Sequence, residues 1–369
     1  MHCFSHHYAS VLSEAVGADF SDNFDADRFG PIKKTPFSAR DFAANFLLTK
    51  FGWAHVDAAK QLLNTGLGYS RPYLAELEWL YSKLADDESR DLLVKLTAYR
   101  ALGHRRIKLP TNTPEFWKVR ERANLIPHGE EEMDPEFLGW KLHERSLESF
   151  GYPIRMFTGR GACYTTFVHQ QYRCETSDGA IECAAGDTAI DAGGCYGDTA
   201  LYLAHKAGPT GKVASFEFLP FNVSVFRKNL ALNPDLADRI RLLESPVYSE
   251  SGQEMRVVGN GPGTRVEPAT TASDGPTVQT LKIDDLIISG NLSQIDFIKM
   301  DIEGSELEAL QGSLNVLRRF KPKLAITVYH DFKDFWTIPQ YLDGLDLGYR
   351  FYLRHFTIHA EETVLFARV

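Results

Sequence analysis

The sequence predicts an α/β protein: a mostly parallel sheet with helices on both faces, preceded by a helical N-terminal region and a β-rich lead-in. Three observations predict it. After Gly186, short apolar runs alternate with amphipathic segments, the pattern of a parallel sheet wound with helices. Residues 1–145 carry helical periodicity instead. Between them, residues 151–184 are rich in Tyr, Thr, Phe and Val with glycine breaks, which reads as strands and hairpins. The chain is therefore divided into a helical region over 1–145 and a second domain over 146–369.

In the N-terminal region, "SARDFAANFLLTKFGW" predicts a helix capped by Ser38. "SRPYLAELEWLYSKL" places Ser70 ahead of a face of Leu74, Leu77, Tyr81 and Leu84. "DDESRDLLVKLTAYRALG" aligns Leu92, Leu96 and Tyr99 and stops at Gly103. In the second domain, "TAIDAG", "KVASFEF", "IRLLES", "IDFIKMD" and "KLAITVYH" predict five strands. Helices over "GDTALYLAHKAG", "NVSVFRKNLALNP" and "SELEALQGSLNVLRRF" separate them. "YRFYLRH" and "ETVLFARV" predict an antiparallel pair at the sheet edge, and the Gly-, Pro- and Thr-rich stretch 249–280 a surface hairpin or loop.

Composition excludes several classes. A net charge of -9 argues against a nucleic-acid partner. No apolar run approaches the roughly 20 residues of a membrane span. Five cysteines without a CxxC pair suit reduced thiols and a cytoplasmic setting. His2, Cys3, His6 and His7 form a metal-ligand-like cluster that reads better as a frayed terminus.

The informative stretch is "DAGGCYGDT", residues 191–199. Ligands of open α/β sheets bind beyond the carboxyl ends of the strands. Here Asp191 and the glycines follow the first strand, Glu217 the second, Ser245 the third, Asp301 and Glu303 the fourth, and His330-Asp331 the fifth. The turn is neither G-x-G-x-x-G nor a P-loop. An acid ahead of the glycines repels phosphate and suits an ammonium group, while Glu217 is spaced to grip a cis-diol. S-adenosylmethionine carries both features and no phosphate. Asn222 reads equally as a helix cap or a ligand contact, and Cys195 as packing.

The ordered set "DTAIDAGGCYGDTALYLA", "FEFLPFN" and "DIEGSELEALQG" resembles the FkbM-type methyltransferase family. The resemblance covers roughly residues 185–369. It implies the class I, seven-stranded, S-adenosylmethionine-dependent fold, and O-methylation of a carbohydrate, polysaccharide unit or polyketide-type hydroxyl. By position it implies a cofactor site of Asp191, Gly193, Gly194, Tyr196, Gly197, Glu217, Phe218, Asn222, Ser245 and Val247. Many relatives carry an acid where this chain has "TVYHDF", which leaves the base open between His330 and Asp301.

Histidine has the better-matched proton affinity for activating an alcohol. Alternatively, Asp301, Glu303 and Asp331 are oxygen donors suited to Mg²⁺. Phe332, Trp336 and Phe356 are either core or acceptor-framing residues. The amphipathic N-terminal helices call for a covering surface, either the second domain or another copy in a homo-oligomer. Two competing functions are a nicotinamide-dependent oxidoreductase and a non-catalytic module that docks a biosynthetic partner.

Overall fold

Two units divide the chain: Met1–Thr113 with Thr357–Glu361, and Pro114–Phe356 with Glu362–Val369. The computed structural model describes residues 3–30, 53–269, 275–290 and 292–369. The division lies near residue 113 rather than 145. Residues 128–158 form one antiparallel sheet, which a cut at 145 would open. The helix expected from Ser38 lies outside the described residues.

The first unit contains helices Phe4–Ala15, Trp53–Ser70, Leu74–Lys83 and Asp87–Leu102. The last starts where the Asp86 carboxylate accepts the Ser89 amide and ends at Gly103, φ 77°. Ser70 closes the preceding helix, and its hydroxyl donates to the Leu67 carbonyl rather than capping the turn that follows. Leu77, Tyr81 and Leu84 are buried as expected, while Leu74 is exposed. Among the described residues, no helix is long and apolar enough to cross a membrane.

The second unit opens with helix Pro114–Asn124 and a three-stranded antiparallel sheet, β1 (His128–Met133), β2 (Leu142–Ser146) and β3 (Arg155–Thr158). Two asparagines on helix Pro220–Leu232 and its C-cap satisfy the outer edge of β3. Asn229 pairs with both backbone groups of Phe157, and Asn233 with both of Arg155. A buried edge thus keeps its hydrogen bonds. Of the rest of the expected strand-rich lead-in, an isolated antiparallel bridge joins Cys174 and Ile181, but another part differs. Residues 160–168 are helical, burying Cys163, Thr166 and Phe167 on one face, so tertiary packing overrides β-branched composition.

The main sheet is built from β4 (Thr188–Ala192), β5 (Lys212–Phe216) and β6 (Ile240–Leu243). An insertion carries β7 (Glu254–Val258), β8 (Arg265–Pro268) and β9 (Thr277–Gln279), and then β10 (Phe297–Met300), β11 (Lys323–Thr327), β12 (Arg350–His355) and β13 (Thr363–Arg368) complete the sheet. Its order is β12-β13-β11-β10-β4-β5-β6. All pairs are parallel except those of β13, which runs antiparallel between β11 and β12. Only β12 therefore forms that edge. The strand order reverses between β4 and β10, the switch point at which such sheets open a crevice.

Two local expectations change. The stretch 249–280 takes the hairpin rather than the loop alternative, β7 and β8 pairing antiparallel, and gains β9 as a third strand in a sheet ordered β8-β7-β9. "SELEALQGSLNVLRRF" is two helices, Glu306–Gln311 and Leu314–Phe320. They break at Gly312, which packs so tightly on the Tyr248 carbonyl that a Cβ would collide with it.

Candidate active site

A solvent-open cleft of about 570 Å³ lies beyond the carboxyl ends of β4, β5, β6 and β10. Its walls include Gly193, Cys195, Glu217, Phe218, Asn222, Pro246, Val247, Asp301, Ile302 and Glu303. The insertion adds Gly261, Pro262, Thr264, Arg265 and Val266.

The glycine turn divides its labour. Gly193 has φ 84° and lines the cleft. A Cβ there would collide with the Asp301 carbonyl, so glycine is required on both counts. Gly194 packs against Ser215 and Phe226, and Gly197, at φ 88°, against Phe226 at the start of helix Asp198–Ala207. Neither lines the cleft. Tyr196 sits in the core with Leu142, Phe157 and Val225.

Asp191 is also not a ligand-facing acid. It is fully buried, and its carboxylate accepts from Thr199 (2.9 and 3.0 Å) and Ser215 (2.7 Å) and pairs with Lys299 at 3.0 Å. The reason is Lys299, a residue the motif reading missed. It is 1% exposed and donates to the carbonyls of Ala192 (3.2 Å) and Gly193 (2.6 Å). Burial lowers its proton affinity, but the carboxylates of Asp191, Asp301 and Asp198 more than offset this and hold it above the ordinary lysine value. A lysine inside the apolar run "IDFIKMD" was the available signal. The acid and the lysine lock the turn from beneath.

Glu217 is 7% exposed and lines the cleft, so it is no surface acid. Its Oε1 accepts the amides of Phe218 (2.6 Å) and Leu219 (2.8 Å), and its Oε2 accepts Asn222 Nδ2 at 3.2 Å. Burial raises its pKa against these donors. Asn222 stands inside helix Pro220–Leu232, whose N-cap is Leu219, so it is not the cap. Its Oδ1 is buried without a hydrogen-bond partner beside the Glu217 carboxylate. Val247 and Pro246 line the cleft, but Ser245 does not: its hydroxyl donates to Gln279 O at 2.6 Å and ties down the insertion. Burial raises the Cys195 thiol well above its usual range, leaving it unreactive.

At the other side, Asp301 accepts from the phenols of Tyr172 (3.1 Å) and Tyr329 (3.4 Å). His330 does not line the cleft. Its Nε2 lies 3.4 Å from both Asp301 and Glu303, and its Nδ1 3.1 Å from Glu306. Burial opposes the charged ring, but Glu303, Glu306 and Asp301 prevail and push its pKa up to about 12. An imidazole caged by three carboxylates is a poor proton acceptor at neutral pH, so the structure corrects the assignment of His330 as the base. Asp331 turns away: it caps the Lys333 amide and pairs with Lys333 Nζ at 3.2 Å. The set Asp301, Glu303 and Asp331 therefore does not converge as a Mg²⁺ site. Trp336 and Phe356 are buried; with Phe332 they lie outside the cleft lining.

Residues 191–351 match the FkbM methyltransferase domain family. The chain carries an FkbM methyltransferase domain. This domain is of the S-adenosylmethionine-dependent class. Among solved structures, an FkbM methyltransferase from Methylobacillus flagellatus is similar at 19% identity and TM-score 0.51, over 90% of this chain and 71% of that one. That likeness confirms the class I methyltransferase fold. An O-methyltransferase from Thermotoga maritima is similar at 14% identity and TM-score 0.31, over 51% of this chain and 61% of its own. Fibrillarin from Aeropyrum pernix, solved with S-adenosylmethionine, is similar at 12% identity and TM-score 0.32, over 64% and 99%. No curated protein matches the sequence.

Proposed function

We propose that the FkbM domain transfers a methyl group from S-adenosylmethionine to a hydroxyl of a carbohydrate, polysaccharide unit or polyketide-type metabolite. One observation carries the reading. The cleft holds a buried carboxylate, Glu217, beside an orphaned amide oxygen of Asn222 at the end of β5, and two further carboxylates after β10. Those strands are separated by β4, about 10 Å at two strand spacings.

The residues fit the cofactor. Glu217 and Asn222 Oδ1 together offer acceptors to a ribose diol. Gly193 admits a ligand against the backbone of the turn, and Pro246, Val247 and Phe218 supply apolar wall. When bound, S-adenosylmethionine supplies an electrophilic methyl group on a sulfonium. Asp301 then takes the proton of the acceptor hydroxyl, its carboxylate held in orientation by Tyr172 and Tyr329. Glu303, half-buried at the cleft, offers a second acceptor to a polyhydroxylated substrate.

The test is a panel of monosaccharides, oligosaccharides and hydroxylated polyketides incubated with the full chain and methyl-labelled S-adenosylmethionine. The label is expected on an ether oxygen. Label on nitrogen alone would contradict the acceptor class.

A further inference from the structure

Beneath the cleft, the chain after β10 and β11 brings Asp301 together with two side chains, Glu306 and His330, to which the proposed methyl transfer gives no part. Asp301, Glu306 and His330 each offer a ligand atom, and these atoms all lie within 4.8 Å of one another. The geometry points to a divalent-cation site formed by Asp301, Glu306 and one imidazole nitrogen of His330.

Two observations beyond the clustering of acids carry this. Glu306 is 1% exposed. Its Oε1 accepts the Ile302 amide at 2.8 Å and the Thr327 hydroxyl at 3.2 Å, while its Oε2 is buried with no hydrogen-bond donor. Both nitrogens of His330, whose side chain is 9% exposed, lack an aligned hydrogen bond despite lying beside carboxylates. An unpaired carboxylate oxygen and an unpaired imidazole nitrogen at such depth are costly, and one cation accepting a lone pair from each answers both.

Charge balance agrees. Asp301, Glu303 and Glu306 surround one imidazole, and the buried Lys299 nearby is bonded to Asp191 and the glycine turn. Glu303 Oε2, 3.4 Å from Nε2, stands in reach as a fourth ligand. The imidazole donor selects the class of ion. Hard Mg²⁺ and Ca²⁺ prefer all-oxygen shells, whereas first-row divalent ions from Mn²⁺ to Zn²⁺ accept mixed nitrogen and oxygen. Asp301 also lines the cleft, so the ion would sit at the boundary of the acceptor space.

The experiment uses the full chain stripped with chelator and probed with Mn²⁺ alone by loss of the free-ion EPR signal, and with Zn²⁺ alone by calorimetry. One equivalent is expected to bind, with Mg²⁺ at least tenfold weaker. His330→Gln and Glu306→Gln should each weaken Mn²⁺ at least tenfold. Asp301→Asn serves the same purpose should Glu306→Gln fail to fold by circular dichroism. Absence of stoichiometric binding by the wild-type chain, or equal binding by the folded variants, would overturn the site and leave an imidazolium as the counter-charge. Titration of the same samples with S-adenosylhomocysteine keeps the two readings separate, because Glu217 and Asn222 belong to another part of the cleft.

Discussion

Replacing Lys299 with methionine tests how the glycine turn is held. The lysine loses contacts to Asp191 Oδ1, Ala192 O and Gly193 O, at 3.0, 3.2 and 2.6 Å. Breaking one partner out of a buried pair costs about 3–5 kcal/mol because a charge is stranded. Asp191 keeps the Thr199 and Ser215 hydroxyls, which places Lys299→Met near the lower end, about 3 kcal/mol. With an m-value of about 3 kcal/mol/M, the urea midpoint should fall by about 1 M. Adding Asp191→Asn removes the stranded charge, so the double variant should recover part of the loss. A coupling energy of about 1.5 kcal/mol or more is expected from the cycle. A Lys299→Met cost below about 1 kcal/mol, or additivity within roughly 0.5 kcal/mol, would refute the account of the turn.

Three other outcomes follow from single contacts. Gly193→Ala forces a side chain into the left-handed region and against the Asp301 carbonyl; thermal unfolding should show a loss of at least about 1 kcal/mol, together with loss of S-adenosylhomocysteine binding. Retained binding at wild-type stability would contradict that placement. Asn229→Ala leaves the backbone of Phe157 and the Tyr196 carbonyl unpaired, at about 1–3 kcal/mol for each buried group stranded, read as a lowered melting temperature. Tyr172→Phe removes a donor from Asp301 and should lower turnover about tenfold or more with S-adenosylhomocysteine affinity unchanged.

Particular residues show what the sequence made legible. The alternation of strands and helices after Gly186 exposed the parallel sheet, and strand-end position pointed to Gly193, Glu217, Asp301 and Glu303, which share one cleft with Val247, the residue that the family resemblance added. Motif position did not reveal which way a side chain turns. Asp191 follows the strand's inward face and meets Lys299, fully buried, whereas Glu217 reaches the cleft. His330 looked like a free base because Glu306, 24 positions earlier, carries no motif that places it at the ring. Residues 160–168 misled by composition, since Thr, Phe and Val there pack as a helical face. The nicotinamide alternative gives way to the domain match.

The central claim is that Glu217 grips the cofactor in this cleft. Calorimetric titration of the full chain with S-adenosylhomocysteine tests it most directly, comparing wild type with Glu217→Ala. Loss of charge-assisted hydrogen bonds of about 1.5–3 kcal/mol predicts one site weakened roughly 10- to 150-fold. Glu217→Gln, which keeps one acceptor for the Phe218 and Leu219 amides, should fall between the two. Unchanged affinity in Glu217→Ala, or no binding by the folded wild-type chain, would contradict the account.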